Sequence, residues 1–242
     1  MMKSTVSSTP QVIIKGIAFD LDGTLINSAA GLAEAVDMML ARLGYPAAGV
    51  DKVSLWIGHG AISLVETALK SAGGEVAMQQ FPQAFALFNQ FYKAVLEKGS
   101  ELYPDVRETL LTLKESGLRL GIVTNKPTQF LPDLLDELHL TTLFDLVLGA
   151  DDVAMKKPHP APLFKVLGEW GLLQSELLFV GDSRNDIQAA KAAGVASVGS
   201  TYGYNFGVPL ADSNPTYLIR DFKSLLQIEP LKALVAPLVK SE

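Results

Sequence analysis

Short apolar runs recur along the chain, each stopping at a polar or glycine-bearing turn: "VIIKGIAFD", "RLGIVTN", "FDLVLGADD", "LLFVGDS" and "VASVGS". Their length and β-branched content predict strands buried on both faces. Between them lie amphipathic segments of helical period, such as "DVRETLLTLKESG" and "FLPDLLDELHL". Strand and helix alternate from about residue 103 onward. That order predicts right-handed βαβ crossovers and an α/β fold, a doubly wound, Rossmann-like parallel sheet with helices on both sides.

Residues 29 to 100 break the alternation with three helical stretches and no strand. In "AAGLAEAVDMMLARLG", Leu32, Val36, Met39, Leu40 and Leu43 fall on one helical face, and Phe81, Phe85, Phe88 and Tyr92 repeat that spacing further on. Such a stripe predicts the core of a small helical bundle. The expected organisation is therefore a flexible tail over 1–11, an α/β core domain over 12–28 and 101–242, and an all-helical cap domain over 29–100. The stretch "GSELYP" would be the return linker, and Trp56 and Trp170 are read as packing residues.

Composition narrows the function. With 48% hydrophobic and 19% charged residues the chain is of the packed globular kind. Its net charge of −6, with Lys and Arg scattered, argues against a nucleic-acid or anionic-membrane partner while leaving room for a small anionic substrate. The absence of cysteine removes disulfides, zinc-thiolate sites and thiol nucleophiles together. The polar opening "MMKSTVSSTPQ" lacks the apolar centre of a secretion signal, and no apolar run approaches the roughly 20 residues of a membrane helix. A soluble, cytoplasmic protein is expected, with its oligomeric state open between monomer and homodimer.

Polar residues gather where the strands end. Asp20 and Asp22 follow the first run, Thr124 and Asn125 the "GIV" run, and Asp182, Ser183 and Asp186 the "LLFVG" run, while Lys157 sits in "MKKPHP". In open parallel sheets ligands bind outside the carboxyl ends of the strands, so these four segments are expected to meet in one crevice. Four carboxylates would repel each other and any phosphate. A hard divalent cation, Mg²⁺, with Lys157 beside it, is the natural neutraliser. An ionised aspartate can attack phosphorus without a separate base, which makes Asp20 the candidate nucleophile and Asp22 the candidate proton donor and acceptor. Thr124, nearby N–H groups and Lys157 would bind the phosphoryl oxygens. Taken singly, each motif also has a bland reading: a D-x-D-G-T turn, a polar loop after a strand, a capped alanine-rich helix, a solvated lysine. Their conjunction, in order, favours the chemical reading.

In that order, and with a helical insert after the first, "DLDGTL", "VTN", "KKPHP" and "GDSRNDIQAAKAAG" resemble the haloacid dehalogenase superfamily of phosphohydrolases. Within it, "WIGHGAISLVETAL" is similar to the cap motif of the phosphoglycolate phosphatase family, and "STYGYNFG" to its late glycine-tyrosine segment. The resemblance implies a Mg²⁺-dependent phosphatase for a small phosphorylated metabolite, foremost 2-phosphoglycolate. It also implies a metal held by Asp20, by Asp22 through its backbone carbonyl and by Asp182, with Asp186 either a further ligand through water or a partner of Lys157. Thr124, Asn125 and Lys157 would hold the phosphate. Asn27-Ser28 and His59 depart from the family's usual residues. Three alternatives stay open: a phosphosugar phosphatase or mutase, a phospho-aspartate signalling module, and a binding-only protein.

Overall fold

The computed structural model describes residues 13–96 and 99–239, so the expected tail over 1–11 lies outside the described residues. In chain order the elements begin with β1 (Gly16–Phe19) and β2 (Ile26–Asn27), followed by the helices α1 (Ala29–Arg42), α2 (Val50–Ser54), α3 (Ala61–Met78) and α4 (Phe81–Val95). The chain then runs through β3 (Glu101–Leu102), α5 (Val106–Glu115), β4 (Arg119–Val123), α6 (Leu131–Glu137), β5 (Leu146–Leu148) and α7 (Ala161–Trp170). It ends with β6 (Leu177–Gly181), α8 (Arg184–Ala193), β7 (Ala196–Ser200), β8 (Tyr217–Ile219) and α9 (Glu229–Val239).

Six strands form one parallel sheet in the order β5-β4-β1-β6-β7-β8. Successive side chains of a strand point to opposite faces. Accordingly Ala18, Val123 and Phe179 pack with Leu163, Val166 and Trp170 of α7 and the alanines of α8. Ile17, Phe19, Ile122 and Val180 join the larger core that includes α5, α6 and α9. Gly16 and Gly121 leave room for Trp170, whose ring a Cβ at either position would approach to 2.7 and 3.0 Å.

Because β1 lies between β4 and β6, its carboxyl end sits where the winding of the sheet reverses. Phe19 pairs with Ile122 on one side and Val180 on the other. The residues after all three strands therefore open into one crevice.

The segment between β2 and β3 is helical, as its periodicity predicts, but its described residues hold four helices, α2 being a single short turn. Leu32, Val36, Met39 and Leu40 of α1 are buried together with Phe88 and Tyr92 of α4, while Leu43, Phe81 and Phe85 are only partly covered. The expected linker "GSELYP" contributes β3, which pairs antiparallel with β2 and ties the two connections to each other. A two-residue ladder leaves no alternation to read in a sequence. The edge strand β8 was also missed, being only three residues long. Among the described residues no helix is long and apolar enough to cross a membrane.

Candidate active site

The first turn after β1 is built around its acids. The N–H of Leu21 donates to Asp20 Oδ1 at 2.7 Å, and the N–H of Gly23 donates to the carbonyl of Ile26 at 2.8 Å, closing the loop that carries Asp22. Gly23 has φ +87°, a conformation side-chain-bearing residues avoid, and a Cβ there would lie 2.3 Å from Asp182 Oδ2. Glycine is thus demanded twice.

Asp20, Asp182 and Asp186 are all buried, and each offers a carboxylate oxygen within 4.8 Å of the others'. Lys157, 2% exposed, brings its Nζ to 2.8 Å from Asp20 Oδ1 and 2.7 Å from Asp186 Oδ1. These are charge contacts without the angular alignment of hydrogen bonds. Asp186 is fixed by the start of α8, where Ser183 caps the helix and both its N–H and its hydroxyl donate to Asp186 Oδ2, at 3.0 and 2.6 Å. Asp182 accepts from the Thr24 hydroxyl at 2.9 Å and from the N–H of Tyr204 at 2.8 Å.

Burial raises the pKa of Asp20 to about 7, with Lys157 opposing and the Asp186 charge adding to the rise. Burial, then the charges of Asp186 and Asp20, likewise hold Asp182 well above the usual carboxylate range. Lys157 is held above its ordinary value because Asp186 and Asp20 outweigh its burial. Fully ionised, the three carboxylates would exceed the one ammonium by two negative charges, and the raised values of Asp20 and Asp182 reflect burial together with that excess. That set fits a divalent cation such as Mg²⁺ in charge and in chemistry.

Asp22 stands apart from this trio. Its carboxylate accepts from the Ser28 hydroxyl at 2.6 Å and from Lys126 Nζ at 2.8 and 3.0 Å. The sequence assignment of Asp22 to the metal concerns its backbone carbonyl, a different atom. Lys126 went unremarked in the sequence although it directly follows "VTN".

Thr124 is buried at the end of β4, its N–H donating to the Leu148 carbonyl and its hydroxyl accepting from the N–H of Lys126. The Asn125 amide donates to the carbonyls of Gly58 and Lys157, at 3.0 and 2.9 Å. With both amide hydrogens engaged, Asn125 braces its neighbours, and what it can still donate to a phosphate is its main-chain N–H.

The helical segment meets the sheet at Trp56–Gly60. The Gly58 carbonyl also accepts from Asn185 Nδ2 at 3.1 Å, and Lys156 Nζ donates to the His59 carbonyl at 2.6 Å. The His59 ring stacks on Phe206 at 4.4 Å and meets Asn185 Nδ2 at 3.0 Å. Burial, then Arg184 and Lys156, lower its pKa and favour the neutral ring, and in the tautomer protonated at Nε2 its Nδ1 accepts from Asn185. His59 is thus a docking residue, set off in sequence only by its flanking glycines. Tyr204, in the glycine-tyrosine segment, has its hydroxyl accept from the N–H groups of Ser28 and Ala29 and donate to Asn27 Oδ1. Trp56 packs against the core as expected and also lines the cavity that contains Asp20, Asp22, Thr124 and Asn125.

Gly203 has the same relation to Asp182 as Gly23: a Cβ would lie 2.2 Å from Asp182 Cβ. Gly203→Ala is expected to cost about 1–3 kcal/mol in urea unfolding by forcing the buried acid aside. Gly168→Ala, in helix α7 with nothing near its added methyl, is expected to gain up to about 1 kcal/mol. Equal behaviour of the two variants would remove the steric reading.

A parallel sheet whose central strand ends in a buried Asp, flanked by a second acid pair and a lysine, defines a class. The chain belongs to the haloacid dehalogenase-like hydrolase family, whose profile matches residues 17–200. More narrowly, it is an enzyme of phosphoglycolate phosphatase-like sequence. It is 52% identical over 221 residues to the phosphoglycolate phosphatase of Yersinia pestis, covering 91% of this chain and 95% of that protein. To the one from Photorhabdus laumondii it is 50% identical over 221 residues, covering 91% and 94%. A crystal structure of a protein described as a predicted phosphoglycolate phosphatase, from Haemophilus somnus, superposes with a TM-score of 0.85 at 41% identity, over 88% of this chain and 97% of that one.

Proposed function

We propose that this hydrolase is a Mg²⁺-dependent phosphatase that converts 2-phosphoglycolate to glycolate and phosphate through an aspartyl-phosphate on Asp20. The observation that carries the reading is the division of the acids. Asp20, Asp182 and Asp186 cluster around the single cation of Lys157, whereas Asp22 is held apart on Ser28 and Lys126.

In the first step an oxygen of Asp20 attacks phosphorus, the Asp20–phosphorus bond forms and the bond to the ester oxygen breaks. Both contacts of Asp20 fall on Oδ1, which leaves Oδ2 for the attack. Asp22, entering the step protonated, donates that proton to the departing oxygen, releasing the alcohol and becoming the carboxylate that Ser28 and Lys126 face. In the second step water attacks the same phosphorus, Asp22 takes its proton, and Asp20 returns as a carboxylate with free phosphate. The Thr124 hydroxyl, the Asn125 main-chain N–H and Lys157 hold the phosphoryl oxygens through both steps. A Mg²⁺ would be held by Asp20, Asp182 and the Asp22 carbonyl, with Asp186 either a ligand through water or the partner of Lys157, and would supply positive charge to the transferring group. The helical segment serves as a cap whose Trp56–Gly60 loop closes the crevice over small esters.

Released phosphate should be measured on 2-phosphoglycolate, sugar phosphates and nucleotides, with Mg²⁺, after EDTA, and after Mg²⁺ is restored. The acid ester is expected to lead in kcat/KM, with activity lost on chelation and regained on repletion. Isomerised sugar without phosphate, a lasting phospho-protein without turnover, or activity that survives chelation would contradict the proposal.

A further inference from the structure

The cavity at the end of β1 has a lining of mixed character. Asp20, Asp22, Thr124 and Asn125 line it together with the apolar side chains of Leu32, Ile57, Leu64, Phe88 and Phe130. Lys126 lines the same cavity and bridges Asp22 to Tyr92. It is 4% exposed, and besides its two contacts to Asp22 its Nζ donates to the Tyr92 hydroxyl at 2.6 Å while lying 4.9 Å from that ring's centre. Burial opposes the Lys126 charge, but Asp22 and then Tyr92 outweigh it and hold the ammonium above its usual range. Tyr92 is pushed up to about 12, by burial first, so it stays a neutral phenol. Its oxygen accepts from Lys126, and among the described residues its proton has no acceptor.

A buried ammonium is costly unless anions face it. Asp22 is already engaged by Ser28, and it binds Lys126 with both oxygens. If Lys126 keeps one of these oxygens and releases the other, one N–H turns into the cavity beside the unclaimed O–H of Tyr92. Two donors, one of them charged, then converge on one point. We infer that Lys126 and Tyr92 together form a carboxylate-binding subsite for the leaving group, and that this pair sets the enzyme's preference for acid-bearing esters.

The placement suits a short acid. If Asp22 serves the ester oxygen, a carboxylate one methylene away from that oxygen lies beside the cation that touches Asp22. A hydroxylated leaving group would find apolar walls there, and its unpaired hydroxyls would be desolvated without return. The subsite spans both units, Lys126 following β4 and Tyr92 belonging to α4, so it is complete only with the helical segment docked. The inference rests on the reading of the protein as a phosphatase for a small carboxylated ester, and it goes further by naming the groups that recognise the acid.

The test compares 2-phosphoglycolate with its neutral amide, carbamoylmethyl phosphate, which has the same shape and a leaving oxygen of similar basicity. Wild type is expected to prefer the acid by roughly 10- to 100-fold in kcat/KM. Lys126→Met, which also removes a partner of Asp22, should slow both esters through kcat, but it should lose about that further factor on the acid alone, as raised KM, so that the preference disappears. Tyr92→Phe, which keeps the ring and its packing, should erode the same preference by up to roughly 10-fold, and it serves as the second variant if Lys126→Met folds poorly. A wild type that turns over both esters equally well, or variants that lose both equally, would overturn the subsite while leaving the phosphatase reading intact. A wild type that turns over neither overturns both.

Discussion

Asp20→Asn is expected to lower turnover by on the order of 10⁴-fold or more, because the side-chain amide cannot form the covalent bond to phosphorus. The fold should survive. Asparagine fills the same space, its oxygen can still accept from the N–H of Leu21, and Lys157 keeps Asp186 as a partner at 2.7 Å. Burial is what most disfavours the Asp20 charge, so removing that charge should change stability in metal-free buffer by no more than about 1 kcal/mol. Urea unfolding and phosphate release on the same preparation separate the two effects. A folded Asn variant with activity near wild type at saturating Mg²⁺ would take Asp20 out of its role.

Asp22→Asn is the second large effect, and its signature is selective. The lost proton matters most when the leaving oxygen is basic, so hydrolysis of an alkyl ester such as 2-phosphoglycolate should fall by about 10²- to 10⁴-fold. Formation of the phospho-enzyme from p-nitrophenyl phosphate should fall far less. The variant still offers an oxygen to Ser28 and Lys126, so it should fold at a cost of about 1–3 kcal/mol. An equal loss for both leaving groups in the first step would remove the proton-donor assignment. Asp22 is thus read out by the basicity of the leaving group and Lys126 by its charge, so the two sets of variants do not mimic each other.

The sheet was legible because buried parallel strands announce themselves as apolar runs. The runs that end at Asp20, Thr124 and Asp182 are the three central strands, and a rule about strand ends suffices to bring their flanking residues together. Lys157 was legible as a cation for the acids because its motif follows β5 at the sheet's edge. What stayed hidden depends on contacts between segments distant in sequence. Nothing in "VTNK" says that Lys126 crosses to Asp22 and Tyr92, residues 104 and 34 positions away. Nothing in "STYGYNFG" says that Gly203 exists to leave room for Asp182, or that Tyr204 ties the start of α1. The Asn125 side chain shows the converse limit: its place was foreseen, but its amide donates to two carbonyls in the structure.

The most direct test is to trap the covalent intermediate. Asp22→Asn supplied with p-nitrophenyl phosphate should load phosphate onto the protein without needing an acid, then discharge it slowly for want of a base. Borohydride reduction of the quenched protein turns an acyl-phosphorylated aspartate into homoserine, which peptide mass spectrometry can place. Homoserine at position 20 is the expected result. Reduction at another acid, or intact Asp20 while phosphate is being released, would contradict the mechanism.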